Sequence, residues 1–453
     1  MLDIRYIREH PDEVQKKSEQ KGYKVDILKL LELDKQRRLL MSQIEDFQRE
    51  RKQLTAQLNA KPTETVVQKG RELKEKQFRV EEGFIDTDQK MLELWKAVPN
   101  MPADDVPVGA SEAENVVSKE WGDKPQFDFE PKTHWQIGES RGWIDKEKAA
   151  KVTGSRFAYL KGDLVKLQFA IIQFALETLG SKETLQKIAK DAGLKVSDNP
   201  FVPTLPPAMV RTEIYEEMDR LEPREERYKV GADEDNLWLQ GSAEHTLGPM
   251  YKDEVIDSFV LPLRFAGYLT SFRREAGTYG KDTEGIIRMH QFDKLEMESF
   301  TKSEDGPTEH LFLVAIQEYL MQQLELPYRV IQKCTADIGK PNARGIDIEV
   351  WLPGNERYLE THTADYMSDY QARRLKTRVK IRPEEADRGL IETGSSGAYN
   401  SEDVRIEFAH TNDATAFAMG RTLVAIIENY QNQDNTIRIP EALQPYMQDK
   451  TQL

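Results

Sequence analysis

Residues 268–300 read YLTSFRREAGTYGKDTEGIIRMHQFDKLEMESF. Alternating polar and apolar character at both ends, around a glycine-bearing middle, predicts strand, loop, strand. Side chains of a strand point to opposite faces in turn, so Ser271, Arg273 and Glu275 share one face of the first strand. Gly277, Gly280 and Gly285 permit the turn conformations of the loop. In the second strand Arg288, His290, Phe292, Lys294 and Glu296 share one face, and Ile287, Met289, Leu295 and Met297 the other; Gln291 and Asp293 are exceptions. Two readings fit the polar row. Guanidinium forks and a Phe face suit a nucleoside triphosphate; cross-strand ion pairs on an exposed strand would look the same.

Downstream and upstream, short strands mix with helices without strict alternation. Apolar helices are expected near 164–179 and 309–324, and strands near 346–352 and 357–363. That order predicts an α+β fold with an antiparallel or mixed sheet, rather than a doubly wound one. Neither G-x-x-x-x-G-K-[ST] nor G-x-G-x-x-G occurs, so ATP would need another cradle.

Before residue 99 the pattern changes. Leu40, Ile44, Phe47, Leu54 and Leu58 step by four and three with Arg51 interrupting. Leu73, Val80, Phe84, Met91, Leu94 and Val98 keep a similar register, with Gln77 and Thr87 in the gaps. This is a coiled-coil seam over about 27–98, broken at Asn59–Thr63, where Pro62 cannot continue a helix. Such a hairpin projects about 50 Å. It serves equally as a structural or dimerising element or as a binding arm; Lys52, Lys61, Lys69, Arg71, Lys74 and Lys76 cluster toward its tip. The Pro-, Asp- and Gly-rich run PNMPADDVPVG opens a linker. The expected division is an N-terminal domain 1–105, a linker 106–125 and a catalytic domain 126–453.

Net charge is −15, yet residues 1–100 hold 21 Lys+Arg against 19 Asp+Glu, so a polyanion is expected to prefer that part. The one cysteine, Cys334, excludes a disulfide framework and a cysteine-built zinc cluster, and suits a reducing cytoplasm. No run of about 18 apolar residues is present, so no membrane span is expected.

F-R-x-E-A-G followed by R-x-H-Q-F-x-K-x-E closely resembles the second signature motif of the seryl-tRNA synthetases, of bacterial type. Leu326–Val330 and Asp347–Pro353 resemble that family's central strands, Asp369–Arg374 its D-F-Q-A-R-R, and Gly420–Gln431 its third motif. Pro207 before a helical run at 208–221 resembles the first motif, which builds a dimer interface. The N-terminal hairpin matches the family's tRNA-binding arm, so the resemblance spans almost the whole chain.

The resemblance implies a class II antiparallel sheet flanked by helices, and ATP-dependent activation of L-serine to seryl-adenylate followed by transfer to tRNA(Ser). It leaves open whether tRNA(Sec) is charged too. It implies Arg273, Glu275 and Arg421 as catalytic residues. ATP would be bound by these with Arg274, Arg288, Met289, Phe292, Glu360, Thr361, His362 and Thr363, Phe292 stacking on adenine and Arg288 on the γ-phosphate. Glu360 and Thr363 would carry Mg2+; no zinc is expected. Serine would meet Ser242, Ala243, Glu244, Arg273, Glu296, Asp413 and Thr415. A cytoplasmic homodimer is implied.

The match departs from the family around the amino acid. E-I-S-S-C-S-N reads Glu360-Thr361-His362-Thr363-Ala364-Asp365-Tyr366 here, and H-T-L-N-G-S-G reads His410-Thr411-Asn412-Asp413-Ala414-Thr415-Ala416. Ser242 stands for the Thr of T-x-E. His362 also reads as a hydrogen-bonded structural histidine, since no partner completes a metal set. The alternative activity is a paralogue activating another small amino acid or loading a carrier protein; the long arm counts against carrier loading. The glycine-containing loop 383–401 receives no role.

Overall fold

The computed structural model describes residues 1–56, 64–276, 284–382 and 404–453. The chain forms two compact units, Met1–Met101 and Pro102–Leu453.

In the first unit, helices α1 (Ile27–Ala56) and α2 (Glu64–Ala97) pack along the expected seam. Leu73, Gln77, Thr87 and Met91 are buried on α2, and Leu40, Ile44, Phe47 and Leu54 are half-buried on α1. The two polar interruptions answer each other: Arg51 Nη1 donates to Gln77 Oε1 at 2.9 Å. At the base, Arg8 grips Asp34 through Nε and Nη2 at 2.8 and 2.7 Å, beside buried Ile7, Val14, Ile27 and Leu30. Trp95 Nε1 donates to Leu2 O at 2.9 Å. The break expected at 59–63, with Lys61 and Leu58, lies outside the described residues.

The second unit is built on an eight-stranded sheet. Its strands are β1 (Val116–Trp121), β2 (Val202–Thr204), β3 (Leu263–Phe272), β4 (Gln291–Thr301), β5 (Tyr328–Gln332), β6 (Arg344–Leu352), β7 (Arg357–Ser368) and β8 (His410–Ala418). Their order is β1-β5-β6-β7-β8-β4-β3-β2, antiparallel throughout except for the β2–β3 pair. Three helices, α3 (Asp163–Gly180), α4 (Gly306–Gln323) and α5 (Met419–Asn429), pack with the sheet in one core that holds Leu295, Met297, Ile348, Ala364, Ala414 and Ala416. Small alanines let α4 approach the sheet closely. Gln317 Nε2 there donates to Thr363 O and Thr415 O, both at 2.8 Å, and His310 Nε2 lies 2.9 Å from Ala364 O.

Three expectations need correction. The segment 106–125 is not only a linker, because Val116–Trp121 pairs with β5 as an edge strand of the main sheet. The first strand of the deciding hairpin stops at Phe272, since Glu275 turns the backbone at φ 51°; the second starts at Gln291. Beyond the strand ends the pairing runs one rung further, with Arg273 N donating to His290 O at 3.0 Å. The helical run at 208–221 shrinks to Thr212–Glu217, preceded by strand Met209–Arg211, because the chain turns at Asp219 with φ 59°. Among the described residues no helix is long and apolar enough to cross a membrane.

Candidate active site

The face of the sheet away from the core is polar, and bulges decide what reaches it. In the β6–β7 pair the register slips between Ile348 and Glu349 of β6, leaving Thr361 of β7 without an opposite partner between His362 and Glu360. Strict alternation would send Glu360 and Thr363 to opposite faces; the extra residue returns Glu360 to Thr363's side. Both line a cleft with Thr361. A second slip, between Leu295 and Glu296 on β4, keeps Phe417 in the core while Thr415 lines the cleft.

This cleft brings together Arg273, Glu275, Arg288, Met289, Phe292, Glu360, Thr361, Thr363, Thr415 and Arg421, all named from sequence. An adjoining cavity of about 350 Å3 holds Ser242, Glu244 and Asp413, and shares Arg273, Glu275, Arg288, Lys294 and Thr363 with the cleft. The Arg273 guanidinium stands 5.4 Å from the Phe292 ring centroid, and its Nε donates to Gly241 O at 3.1 Å. Arg288 Nη1 donates to Glu275 Oε2 at 3.2 Å, and Arg421 Nη1 to Glu360 Oε1 at 2.8 Å. Desolvation lowers the Arg273 pKa, with Arg227 adding to it. For Glu360 desolvation acts upward, but Arg421 and then Lys333 outweigh it and the net direction is down. Clustered guanidiniums on a short row of carboxylates suit a polyphosphate that also carries a cation.

Four expected residues lie elsewhere. Ala243 is buried against Leu247, Phe265 and Leu269. Arg274 leans on Tyr228, with its guanidinium 5.7 Å from that ring. Glu296 lies fully buried beneath the cleft, held by Lys294 Nζ at 2.8 and 2.6 Å. His362 faces the core instead of the cleft. Its Nε2 lies 3.0 Å from Ala416 O, its Nδ1 2.9 Å from Thr361 Oγ1, and its ring 5.6 Å from that of Phe417.

Burial pulls the His362 pKa from 6.5 down to about 3. The unfolded chain therefore binds the extra proton between these values, so the neutral ring's contribution is complete above pH 6.5 and is lost as pH falls toward 3. His362→Gln retains a donor for Ala416 O but does not titrate. Between pH 6 and 4, wild type should lose ~1.4 kcal/mol per pH unit more than the variant in urea unfolding. Parallel pH profiles would show that the ring titrates as it does in water.

Sequence reading missed several functional positions. Glu298 continues the alternation of Phe292, Lys294 and Glu296, so that signal was available. Arg220 and Arg227 come from irregular backbone after the short Thr212–Glu217 helix, where no periodicity announces them. The D-Y-Q-A-R-R run braces the same cavity from behind. Gln371 Nε2 donates to Glu244 Oε1 at 3.0 Å and to Met218 O at 3.2 Å, while Arg374 pairs with Asp219 at 2.7 Å.

Comparison with known proteins shows the family and the fold. Residues 1–102 match the seryl-tRNA synthetase N-terminal domain, and residues 228–395 the tRNA synthetase class II core domain (G, H, P, S and T). A serine–tRNA ligase of Symbiobacterium thermophilum is 35% identical over 98% of both chains. One from Syntrophotalea carbinolica is 36% identical over 99% of this chain and 98% of its own. The crystal structure of seryl-tRNA synthetase from Pyrococcus horikoshii complexed with ATP superposes with a TM-score of 0.84 at 31% identity, covering 100% of this chain and 99% of that one.

Proposed function

Since the chain belongs to the seryl-tRNA synthetase family and has its activity, serine–tRNA ligation, we propose that the cleft binds ATP and the adjoining cavity binds L-serine. What carries this assignment is the continuity of the two spaces through Arg273, Glu275, Arg288, Lys294 and Thr363. A shared wall places an amino-acid carboxylate next to a nucleotide phosphate, which is the juxtaposition that adenylate formation needs.

In this reading Arg273 holds the α-phosphate, Phe292 and Arg421 flank the adenine, and Arg288 takes the γ-phosphate. Glu244 meets the serine ammonium; Thr415 and Asp413 face its hydroxyl. A serine carboxylate oxygen attacks the α-phosphorus, the bond from that phosphorus to the bridging oxygen breaks, and pyrophosphate leaves. The terminal ribose hydroxyl of tRNA then attacks the carbonyl and AMP leaves. No side chain becomes covalently bound, so catalysis is positioning and charge neutralisation. Glu360 and Thr363 supply hard oxygen donors on one face, and Asp347, opposite Thr363, has an Oδ1 that is buried with no hydrogen-bond partner among the described residues. That set suits Mg2+, which is usually held by one or two carboxylates plus substrate phosphates and would neutralise phosphate charge. We assign tRNA recognition to the hairpin, and further propose a cytoplasmic homodimer built through the region after Pro207.

Pyrophosphate exchange with serine, threonine, alanine and glycine side by side tests the pocket. A site whose polar groups await a hydroxyl rejects analogues lacking it by roughly 10⁴ or more, whereas one extra methyl is resisted by only about 10–200-fold. Serine should therefore lead, threonine follow, and alanine and glycine trail far behind. A preference for any of the other three would overturn the serine assignment of the cavity.

A further inference from the structure

Three carboxylates lie side by side on adjacent strands beneath the amino-acid cavity. Glu298 on β4 is opposite Asp413 on β8, and Asp413 is opposite Asp365 on β7. They are 0%, 3% and 9% exposed. Both oxygens of Glu298, Oδ1 of Asp413 and Oδ1 of Asp365 are buried without a hydrogen-bond partner among the described residues. Two of the three, Asp365 and Asp413, are the departures from the motif patterns noted above. Like charges on neighbouring strands repel, and burying them without compensation is costly.

The compensating cation is Arg220. Its Nε donates to Glu244 Oε1 at 2.7 Å, and its Nη2 donates to Asn342 Oδ1 at 3.2 Å and stands 3.9 Å from Asp413 Oδ1. The backbone beneath it is fixed, since Arg220 O accepts from Arg227 Nε and Nη2 at 3.1 and 2.8 Å. One guanidinium thus reaches both Glu244, on the ammonium side, and Asp413, on the side-chain side. An arginine fork suits such a bridge, because its planar donors serve two acceptors in fixed geometry.

We propose that Arg220 is a specificity-determining residue of the amino-acid cavity, holding Glu244 and Asp413 as one acceptor wall that reads ammonium and side-chain hydroxyl together. The inference rests on the serine reading of this cavity. Without Arg220 the wall keeps its carboxylates but loses their alignment and counter-charge. Replacing Asp365 at the same time relieves the repulsion on Asp413 that Arg220 answers, and leaves Glu244 and Asp413 in place.

The test compares wild type, R220Q and the double variant R220Q/D365S in pyrophosphate exchange with serine and with glycine. In R220Q the KM for serine should rise roughly tenfold or more, the cost of leaving buried charged partners unanswered. The serine-over-glycine ratio of kcat/KM should fall by about the same factor, while the KM for ATP stays within about twofold. The double variant should recover part of the serine KM. Equal losses for serine and glycine, or a double variant no better than R220Q, would reduce Arg220 to a packing role and overturn the proposal. If R220Q does not fold, R220K, which keeps the charge but not the fork, stands in its place and should show the same loss of selectivity. A wild-type enzyme that prefers another amino acid is a different failure, that of the serine reading itself.

Discussion

Arg273→Ala lowers serine-dependent pyrophosphate exchange by about 10²–10³-fold, ~2.7–4 kcal/mol of transition-state stabilisation, the range for losing one preorganised charge-stabilising donor. The residue sits just past the end of β3, lines both the cleft and the adjoining cavity, and packs its guanidinium near Phe292. With the α-phosphate held as proposed, kcat should fall with kcat/KM, because the charge that Arg273 neutralises grows in the transition state. Folding should survive, since its one side-chain hydrogen bond of note is to Gly241 O at the cavity wall. Exchange activity near the wild-type level, in a folded variant, would mean that Arg273 does not touch the phosphate.

Removing the outer hairpin should separate the two half-reactions. The structure shows where to cut: Leu30, Leu33 and Asp34 on α1 and Met91 on α2 belong to the buried base, and Trp95 reaches back to Leu2. Arg37 and Asp88 form an ion pair across the hairpin just above it. Deleting residues 38–87 and joining Arg37 to Asp88 with a short turn therefore leaves the base intact. Serine activation should stay within about twofold of wild type, while tRNA charging falls on the order of a hundredfold or more as phosphate contacts from the exposed lysines and arginines are lost. The charging of the intact protein should also weaken steeply with salt, whereas exchange should not. Equal loss of both activities in a folded deletion would assign the hairpin to the catalytic machinery.

Much of this was legible in the sequence. The hairpin seam follows from steps of three and four, and even its polar breaks, Arg51 and Gln77, meet as partners. The α+β fold follows from strands and helices in irregular order, and the cleft residues follow from motifs on both sides of the sheet. What alternation could not supply was the effect of bulges. Counting by twos puts Glu360 and Thr363 on opposite faces, and only the slip at Thr361 reunites them. His362 fails for the complementary reason: proximity to two site residues in sequence is not proximity in space when strands have two sides. Arg220 escaped because it sits on irregular backbone and is tied in through residues distant in sequence, Glu244, Asn342 and Asp413. The edge strand Val116–Trp121 was hidden in a Pro- and Gly-bearing region that reads as linker, and its pairing with Tyr328–Gln332 is a long-range event.

Charging of a tRNA(Ser) transcript with labelled serine tests the account most directly, because it requires the cleft, the cavity and the hairpin together. Purified full-length protein should form an alkali-labile seryl ester on tRNA(Ser), dependent on ATP, and none on a tRNA specific for another amino acid. Formation of seryl-adenylate with no serine transferred to tRNA(Ser) would contradict the account.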